Sequence, residues 1–442
     1  MPRTAHTPAK RISAAEAAGM VRSGMRLDFG GALSQPDVFD AALAGRAGEL
    51  TEVSIRICLV TSPRPFMEAD PDGEHFHALS WHFGGYERIK YGAGICHYAP
   101  LNLGEVPDYY RRFIDPIDMV ILRTRPLGAD GWFNFGPTNA WLRAITERAR
   151  TVIVETTPGL PHAFGPDNGL RESEVDFVIE GAEGPLDQLP NHAPDEIDTA
   201  VAHLIAAEVE DGACLQIGIG GMPNAVCSIL AKGAATDLGI HTEMLTDGIA
   251  ELIASGAVTG ARKQLDPGKV VYTFALGSAD LYRFIDGNED LLCCPTDYTN
   301  LPHMIMRNDK VVSINSTTQI DLQGQAASES DGHRHLTGTG GQLQFVRGAY
   351  ASAGGKSFIC LPSTYERKGV RKSRIVLEHA PGTIVTTPRS DVMYVVTEYG
   401  SANLKARSVA ERARLLIGLA HPDFREDLDR QAHEHGLIAR GC

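Results

Sequence analysis

The residues best placed to do chemistry are one carboxylate and a set of glycines. Glu243 lies in the stretch Gly239-Ile240-His241-Thr242-Glu243-Met244-Leu245-Thr246-Asp247-Gly248, shortly after a cluster at Gly218, Gly220 and Gly221. Glycines let a backbone approach a ligand and present N–H groups to an anion or a developing oxyanion. A carboxylate beside them has what covalent catalysis by an acid side chain needs. The chain holds 55 acidic residues, and most must be solvated surface charge. Glu243 differs because it sits among apolar and small residues. Its segment reads as a strand end turning into a helix that begins near Asp247 and runs through Ala250, Leu252, Ile253 and Ala254. Strand ends line the ligand crevice of open α/β sheets. The plainer alternative is an acid favoured near a helix start by the local dipole. Asp321, Glu329 and Glu398 compete for the same role, and Glu398, which follows a strong strand, is the nearest rival.

Other chemistries fit these residues less well. Gly218-Ile219-Gly220-Gly221-Met222-Pro223 opens like a dinucleotide fingerprint, and Glu243 falls near the distance of a ribose-binding acid. Pro223, however, stands where the third glycine belongs; proline suits a first helical turn but supplies no close strand packing. A tight structural turn is the bland reading of the loop. His241-Thr242-Glu243 echoes the H-x-E of zinc deaminases, which need a later Pro-Cys-x-x-Cys. Here the cysteines are adjacent, in Cys293-Cys294-Pro295. His82, His97, His162 and His421 lack ligand spacing, so no metal site is expected.

These residues need a scaffold, and the bulk numbers bound it. A chain of 442 residues, 43% hydrophobic and 22% charged, exceeds what one core usually serves, so two domains are expected. The formal net charge of −14 argues against a nucleic-acid binder. Eight cysteines without CxxC spacing read as reduced thiols in a cytoplasmic protein. No apolar run reaches the ~18 residues of a membrane span, and the N-terminus lacks a signal-peptide core.

In chain order, Ser13 to Val21 reads as a helix with Ser13 as N-cap and Glu16 three residues on. A strand at Arg26 to Phe29 leads into Gly30-Gly31, and a helix resumes after Pro36. Apolar runs Val53 to Val60, Met119 to Leu122 and Val152 to Val154 read as parallel strands. The aromatic stretch Asp130 to Gly136 reads either as the rim of a cleft or as a packed turn. Gly184 to Glu196, with three prolines, is the best linker, dividing 1–190 from 191–442. After it the opening pattern returns: Gly24-Met-Arg-Leu27-Asp-Phe29-Gly30 lays over Gly212-Ala-Cys-Leu215-Gln-Ile217-Gly218 without a gap. Two similar open α/β domains follow from that overlay. The second half adds strands at Val270 to Ala275, Val311 to Ile314, Ser357 to Leu361, Thr383 to Thr386 and Met393 to Thr397, with loops at Asn315 to Thr318 and Gly338 to Gly341. Ser408 and Glu411 form a capping-box pattern.

Taken together, these segments resemble the acetyl-CoA hydrolase/transferase family, in particular its 4-hydroxybutyrate and butyryl CoA-transferase branch. The similarity covers nearly the whole chain and is carried by Gly218 to Val226, His241 to Met244, Asn315-Ser316, Gly338 to Gln342, Phe345 to Gly348, Thr397 to Gly400 and His421 to Arg425. The resemblance implies a pair of CoA-transferase-type α/β domains and a catalytic glutamate at Glu243 that becomes a glutamyl-CoA thioester. It places CoA contacts on the loop carrying Gly218, Gly220, Gly221, Met222, Pro223 and Asn224, and on Gly340 and Gly341, with Asn315 as a further site residue. The loop usually has Ala or Asn where this chain has Gly221, and often Asp in place of Asn224. Acyl-CoA and small carboxylates are the implied partners, coenzyme A being a substrate rather than a bound cofactor. A homodimer or higher homo-oligomer is expected.

The residue types suit that chemistry. A free glutamate titrates near ~4.3, so it is expected to be an anion at neutral pH that needs no general base. Attack on an acyl-CoA gives a mixed anhydride and CoA thiolate; the thiolate then takes the glutamyl carbonyl and releases the first acid. Both attacks build charge on oxygen, which glycine N–H groups or the Asn315 amide could stabilise. Hydrolysis through the same glutamate, with His241 as base for water, is the alternative; a nucleotide-binding dehydrogenase and a non-catalytic CoA-binding protein are further ones.

Overall fold

A computed structural model describes residues 8–191 and 193–439. The chain divides into two compact units: Met1–Pro190 with Val271–Thr299, and Asn191–Val270 with Asn300–Cys442. A single cut at the linker assigns residues 271–299 to the second domain, whereas the contacts group them with the first. Backbone hydrogen bonds hold them there: Asn139 N to Thr273 O at 3.0 Å, Ala275 N to Pro137 O at 2.8 Å and Cys293 N to Phe164 O at 2.7 Å.

The first unit carries eight parallel strands in the order Lys10–Arg11, Phe177–Glu180, Ala149–Thr156, Ile117–Thr124, Arg26–Asp28, Val53–Ile57, Phe76–Ser80 and Cys96–Tyr98. Alternation explains the outer strands: Val53, Ile55 and Ile57 are buried while Ser54 and Arg56 between them are less so. The central Ile117–Thr124 is buried at seven of its eight positions, as expected where both faces are covered. Ser13 caps the helix Ala14–Gly19 reciprocally with Glu16, as the spacing requires. Phe29, Phe39, Phe66 and Phe76 pack edge to face at 5.9 to 6.0 Å in the core.

Successive strands are laid to one side of Arg26–Asp28 and then to the other, which creates a switch point at its carboxyl end. There Asp28 is buried, accepts from Tyr110 Oη at 2.5 Å and from Gly30 N at 2.8 Å, and lies beside Arg56, whose guanidinium stacks over Trp81 and Tyr110. Burial pushes the Asp28 carboxyl up to about 6 against the pull of Arg56, Tyr110 and Gly30. The aromatic stretch is a packed element rather than an open rim. Trp132–Asn134 is a strand paired antiparallel with Gly169–Arg171, and Phe133 and Phe135 are buried.

The second unit has six strands, ordered Gly239–Ile240, Cys214–Ile217, Val311–Ser316, Lys356–Cys360, Tyr394–Thr397 and Gly400–Asn403; only the last pairs antiparallel. Its switch point lies at the end of Cys214–Ile217, since Gly239–Ile240 adds to one side and Val311–Ser316 to the other. The overlay of the two halves has a structural counterpart. Gly24 and Gly212 both take left-handed backbone, with φ of +80° and +74°, two residues before Arg26–Asp28 and Cys214–Ile217, the strands that end at the two switch points.

Two expected elements differ. Thr383 to Thr386 is not a strand; beside Pro388, which has no N–H to donate, the segment reaches only an isolated bridge between Thr387 and Ala326. Val270 to Ala275 breaks at Thr273 into Val270–Tyr272 and Phe274–Ala275. Ser408 caps Val409–Leu419 in a reciprocal box with Glu411, and that helix buries Leu416, Ile417 and Leu419 in the core of this unit.

Candidate active site

Glu243 follows the short strand Gly239–Ile240 and precedes the helix Asp247–Ala254. The strand is held on one edge by His241 N donating to Leu215 O at 3.0 Å. Buried Lys263 donates to Ile240 O at 3.0 Å, a support with no sequence signal. Glu243 is half-buried. Its Oε2 accepts from Asn300 Nδ2 at 2.6 Å, and Gly341 is so close that a Cβ there would overlap both Oε2 and the Asn300 amide. Burial pushes the Glu243 carboxyl up to about 7, with the Asn300 bond pulling the other way. The expectation of a fully ionised glutamate at neutral pH is therefore corrected. The desolvated charge costs more than one amide donor returns, so the carboxyl is held above the ordinary glutamate value.

The glycine loop leaves the carboxyl end of Cys214–Ile217 at the switch point. Gly220 has φ +115° with open space around it, and Gly221 begins the helix Gly221–Lys232. A Cβ on Gly221 would overlap the Asp198 carboxylate. A small pocket of about 110 Å³ opens here, lined by Ile219, Gly220, Gly221, Met222 and Pro223 on one side and by Ser316 and Cys360 among others. Ile219, absent from the expected set, is 53% exposed at the loop tip. Asn224 turns elsewhere: its side chain bonds Asn191 and packs against Gly248. Gly218 follows the strand and donates its N–H to Ile314 O at 3.1 Å.

Asn315 and Ser316, expected in a loop, end the strand Val311–Ser316. Both Asn315 amide protons are taken, by Gln216 Oε1 at 3.0 Å and Ser313 Oγ at 2.9 Å, and its Oδ1 accepts from Gln216. Asn315 makes no hydrogen bond to Glu243 in this state. Gly340, with φ +57°, and Gly341 lead into the helix Gln342–Ala351. That loop is held by Glu329, 3% exposed, which accepts from Thr339 Oγ1 at 3.1 Å and Thr386 Oγ1 at 3.0 Å. The other rival carboxylates are also engaged. Glu398 takes both the N–H and the hydroxyl of Ser363, and Asp321 caps the turn at Gln323 and Gln325.

The structure thus brings Glu243 together with Gly341 and Asn300, and groups Gly220 to Pro223 with Ser316 at the switch point. Asn300 escaped the sequence reading because its partner lies 57 residues earlier. Among the described residues no three His, Cys, Asp or Glu side chains are grouped to hold a metal ion, and no helix is long and apolar enough to cross a membrane.

A glycine loop at a sheet switch point, with a carboxylate after the neighbouring strand, is the layout of an α/β group-transfer enzyme. The chain belongs to the acetyl-CoA hydrolase/transferase family, matching its N-terminal domain over residues 2–190 and its C-terminal domain over 277–432, and is an enzyme of the CoA-transferase class. It is 42% identical to the butyryl-CoA:acetate CoA-transferase of Anaerostipes caccae, over 98% of this chain and 97% of that one. Among solved structures, RipA from Yersinia pestis superimposes with a TM-score of 0.90 at 37% identity, covering 97% of this chain and 98% of RipA. A 4-hydroxybutyrate CoA-transferase from Porphyromonas gingivalis gives 0.78 at 32%, covering 96% and 98%.

Proposed function

We propose that the protein is an acyl-CoA:carboxylate CoA-transferase that works by a ping-pong mechanism through a thioester on Glu243. The observation that carries this reading is the half-buried Glu243 carboxylate, held at one oxygen by Asn300 and leaving Oε1 without a hydrogen bond among the described residues. Oε1 attacks the acyl-CoA carbonyl and the C–S bond breaks, giving a mixed anhydride and CoA thiolate. The thiolate attacks the glutamyl carbon; the anhydride C–O bond breaks, the first acid leaves and CoA stays on Glu243. An acceptor carboxylate runs the same steps backwards, so no redox change and no net proton are involved.

The pocket at Gly220 to Pro223 suits part of the CoA, since open backbone there can come close to a ligand. The names of the two transferases compared above favour short carboxylates, butyrate and acetate in one and 4-hydroxybutyrate in the other. In this reading free acyl-CoA is the donor, coenzyme A is substrate and not a resident cofactor, and the enzyme acts in the cytoplasm as a homodimer or larger homo-oligomer. Hydrolysis is the lesser reading. His241, its candidate base, is 2% exposed, and a general base must reach water and thioester together.

The test is incubation with butyryl-CoA alone, hydroxylamine or borohydride trapping, and peptide mapping of the modified residue. CoA on Glu243, and label exchange that needs a carboxylate, are the expected results. Modification at Glu398, or rapid thiol release that no carboxylate diverts, would sink the proposal.

A further inference from the structure

We propose that the first unit carries a non-catalytic carboxylate-binding site, a cavity on one face of its eight-stranded sheet where Arg56 takes the carboxylate of a short-chain acid and Leu79 its hydrocarbon chain. The proposal does not depend on the reading of Glu243 as the nucleophile.

The pleat of the sheet makes the cavity. Val53, Ile55, Phe76, Ala78 and Cys96 are buried in the apolar core on one face, so Ser54, Arg56, His77, Leu79 and His97, which alternate with them, belong to the other. Register sets these side by side. Ser54 pairs with Arg26 on one strand and His77 on the next; Arg56 pairs with Asp28 and Leu79, and Leu79 in turn with His97. Together with Arg26 they line a cavity of about 300 Å³, a size that suits a small ligand.

Arg56 is the group in this cavity with donors to offer. Its guanidinium is stacked over Trp81 and Tyr110, 5.7 and 6.0 Å from the ring centroids, which holds it in one orientation. Its Nε is buried with no hydrogen-bond partner, and among the described residues the guanidinium donates no hydrogen bond and forms no ion pair. Asp28, one strand across, engages Tyr110 Oη and Gly30 N instead; it offsets the charge of Arg56 but occupies none of its N–H groups. The neighbouring basic side chains have acidic partners, since Arg26 pairs with Asp115 and His77 lies 3.5 Å from a Glu52 oxygen. A buried donor left unpaired costs stability, and a fixed guanidinium fork matches the two oxygens of a carboxylate. Leu79 decides the class of anion. It is a partly exposed apolar side chain directly beside Arg56 in the sheet, so an acid with a hydrocarbon chain gains burial there that inorganic phosphate does not.

The experiment is titration calorimetry of butyrate, with CoA absent so that no transfer intervenes, into the wild type, Arg56→Lys and Leu79→Glu. Lysine keeps a positive charge beside Asp28 but lacks the planar fork. The glutamate leaves Arg56 in place and sets a resident carboxylate beside it, so the proposal stays testable even if the lysine variant folds poorly. Expected are butyrate binding to the wild type, binding roughly tenfold weaker in Arg56→Lys, the share of one charge-assisted hydrogen bond, and loss of that binding in Leu79→Glu. Inorganic phosphate at equal ionic strength should not displace the butyrate. Acid held at the catalytic site would be indifferent to both substitutions, so equal binding in all three proteins overturns the proposal. Displacement by phosphate overturns it too, because the hydrocarbon chain would then count for nothing. Sedimentation velocity covers the remaining occupant: a wild type that binds no butyrate, and a Leu79→Glu variant that falls to a smaller species, would mean that a second copy of the chain covers this face, and the proposal fails.

Discussion

Gly341 faces Glu243 at a distance that admits no side chain: a Cβ on the glycine would overlap Oε2. Its backbone φ of −101° is open to any residue, so glycine is needed here for space and not for conformation.

Gly341→Ala should therefore be an activity variant more than a folding variant. The methyl group displaces the Glu243 carboxylate and the Asn300 amide together, and a displacement near 1 Å at a reacting group costs on the order of 10²-fold in rate. Overpacking should lower stability by about 1–3 kcal/mol. Steady-state exchange between butyryl-CoA and acetate, with thermal unfolding alongside, checks both; wild-type turnover would show that the close approach is incidental.

The raised carboxyl of Glu243 sets two pH dependences. In the reading proposed above, activity rises as pH passes through about 7, because only the anion attacks. Stability runs the other way. The folded state keeps a proton that the unfolded chain releases near ~4.3, so stability falls between that value and about 7 and stays reduced above it. Glu243→Gln has no charge to desolvate. Its melting temperature should match the wild type at pH 4 and exceed it at pH 8, while turnover is lost. Equal melting temperatures at both pH values would contradict the burial assigned to this carboxyl.

Tyr110→Phe tests the network at the other sheet's switch point. Tyr110 Oη helps hold Asp28, whose carboxyl sits at about 6, so the hydroxyl matters most when Asp28 is ionised. Its removal should cost about 1.5–3 kcal/mol above pH 6 and distinctly less at pH 5, where Asp28 is protonated in the fold. Denaturant unfolding at pH 5 and 8 gives the comparison; a loss independent of pH would point to packing alone.

Gly220 and Gly221 answer to different constraints, and their variants should separate. Gly220→Ala meets open space but must hold φ +115°, a strained value for an L-residue costing ~1–2 kcal/mol. Gly221→Ala meets the end of the Asp198 side chain, which can swing away, so its stability should fall less. If the loop carries CoA, both should weaken CoA binding, measured by calorimetry, by more than their melting temperatures indicate. Proportionate losses would mark the loop as a structural turn.

What the sequence made legible were features written into neighbouring residues. Strand-then-glycine patterns located Arg26–Asp28 and Cys214–Ile217, capping boxes located two helices, and a carboxylate among small residues singled out Glu243. The hidden features depend on distant partners. Asn300 carries no local signal in the sequence, and only the fold brings Glu243 to it. Asn315 reads as a free amide until Gln216 is seen one strand across. The Glu243 carboxyl titrates higher than its residue type implies because desolvation belongs to the packed site and not to the residue. Thr383 to Thr386 misled for the opposite reason: a β-branched run has strand propensity, but propensity supplies no partner strand.

The return of residues 271–299 to the first unit bears on how the protein is made. Every strand of the eight-stranded sheet has been synthesised by residue 180, yet the groups that Thr273, Ala275 and Cys293 offer to Asn139, Pro137 and Phe164 reach the ribosome exit much later. Domains usually fold as they emerge, the N-terminal one first. Here the first-made unit stays unfinished until some two-thirds of the chain exists. A gene cut at the proline linker would consequently yield an N-terminal fragment with those backbone groups unmet, and a C-terminal fragment carrying a segment that belongs elsewhere. The two pieces should be recovered together from one cell more readily than either alone.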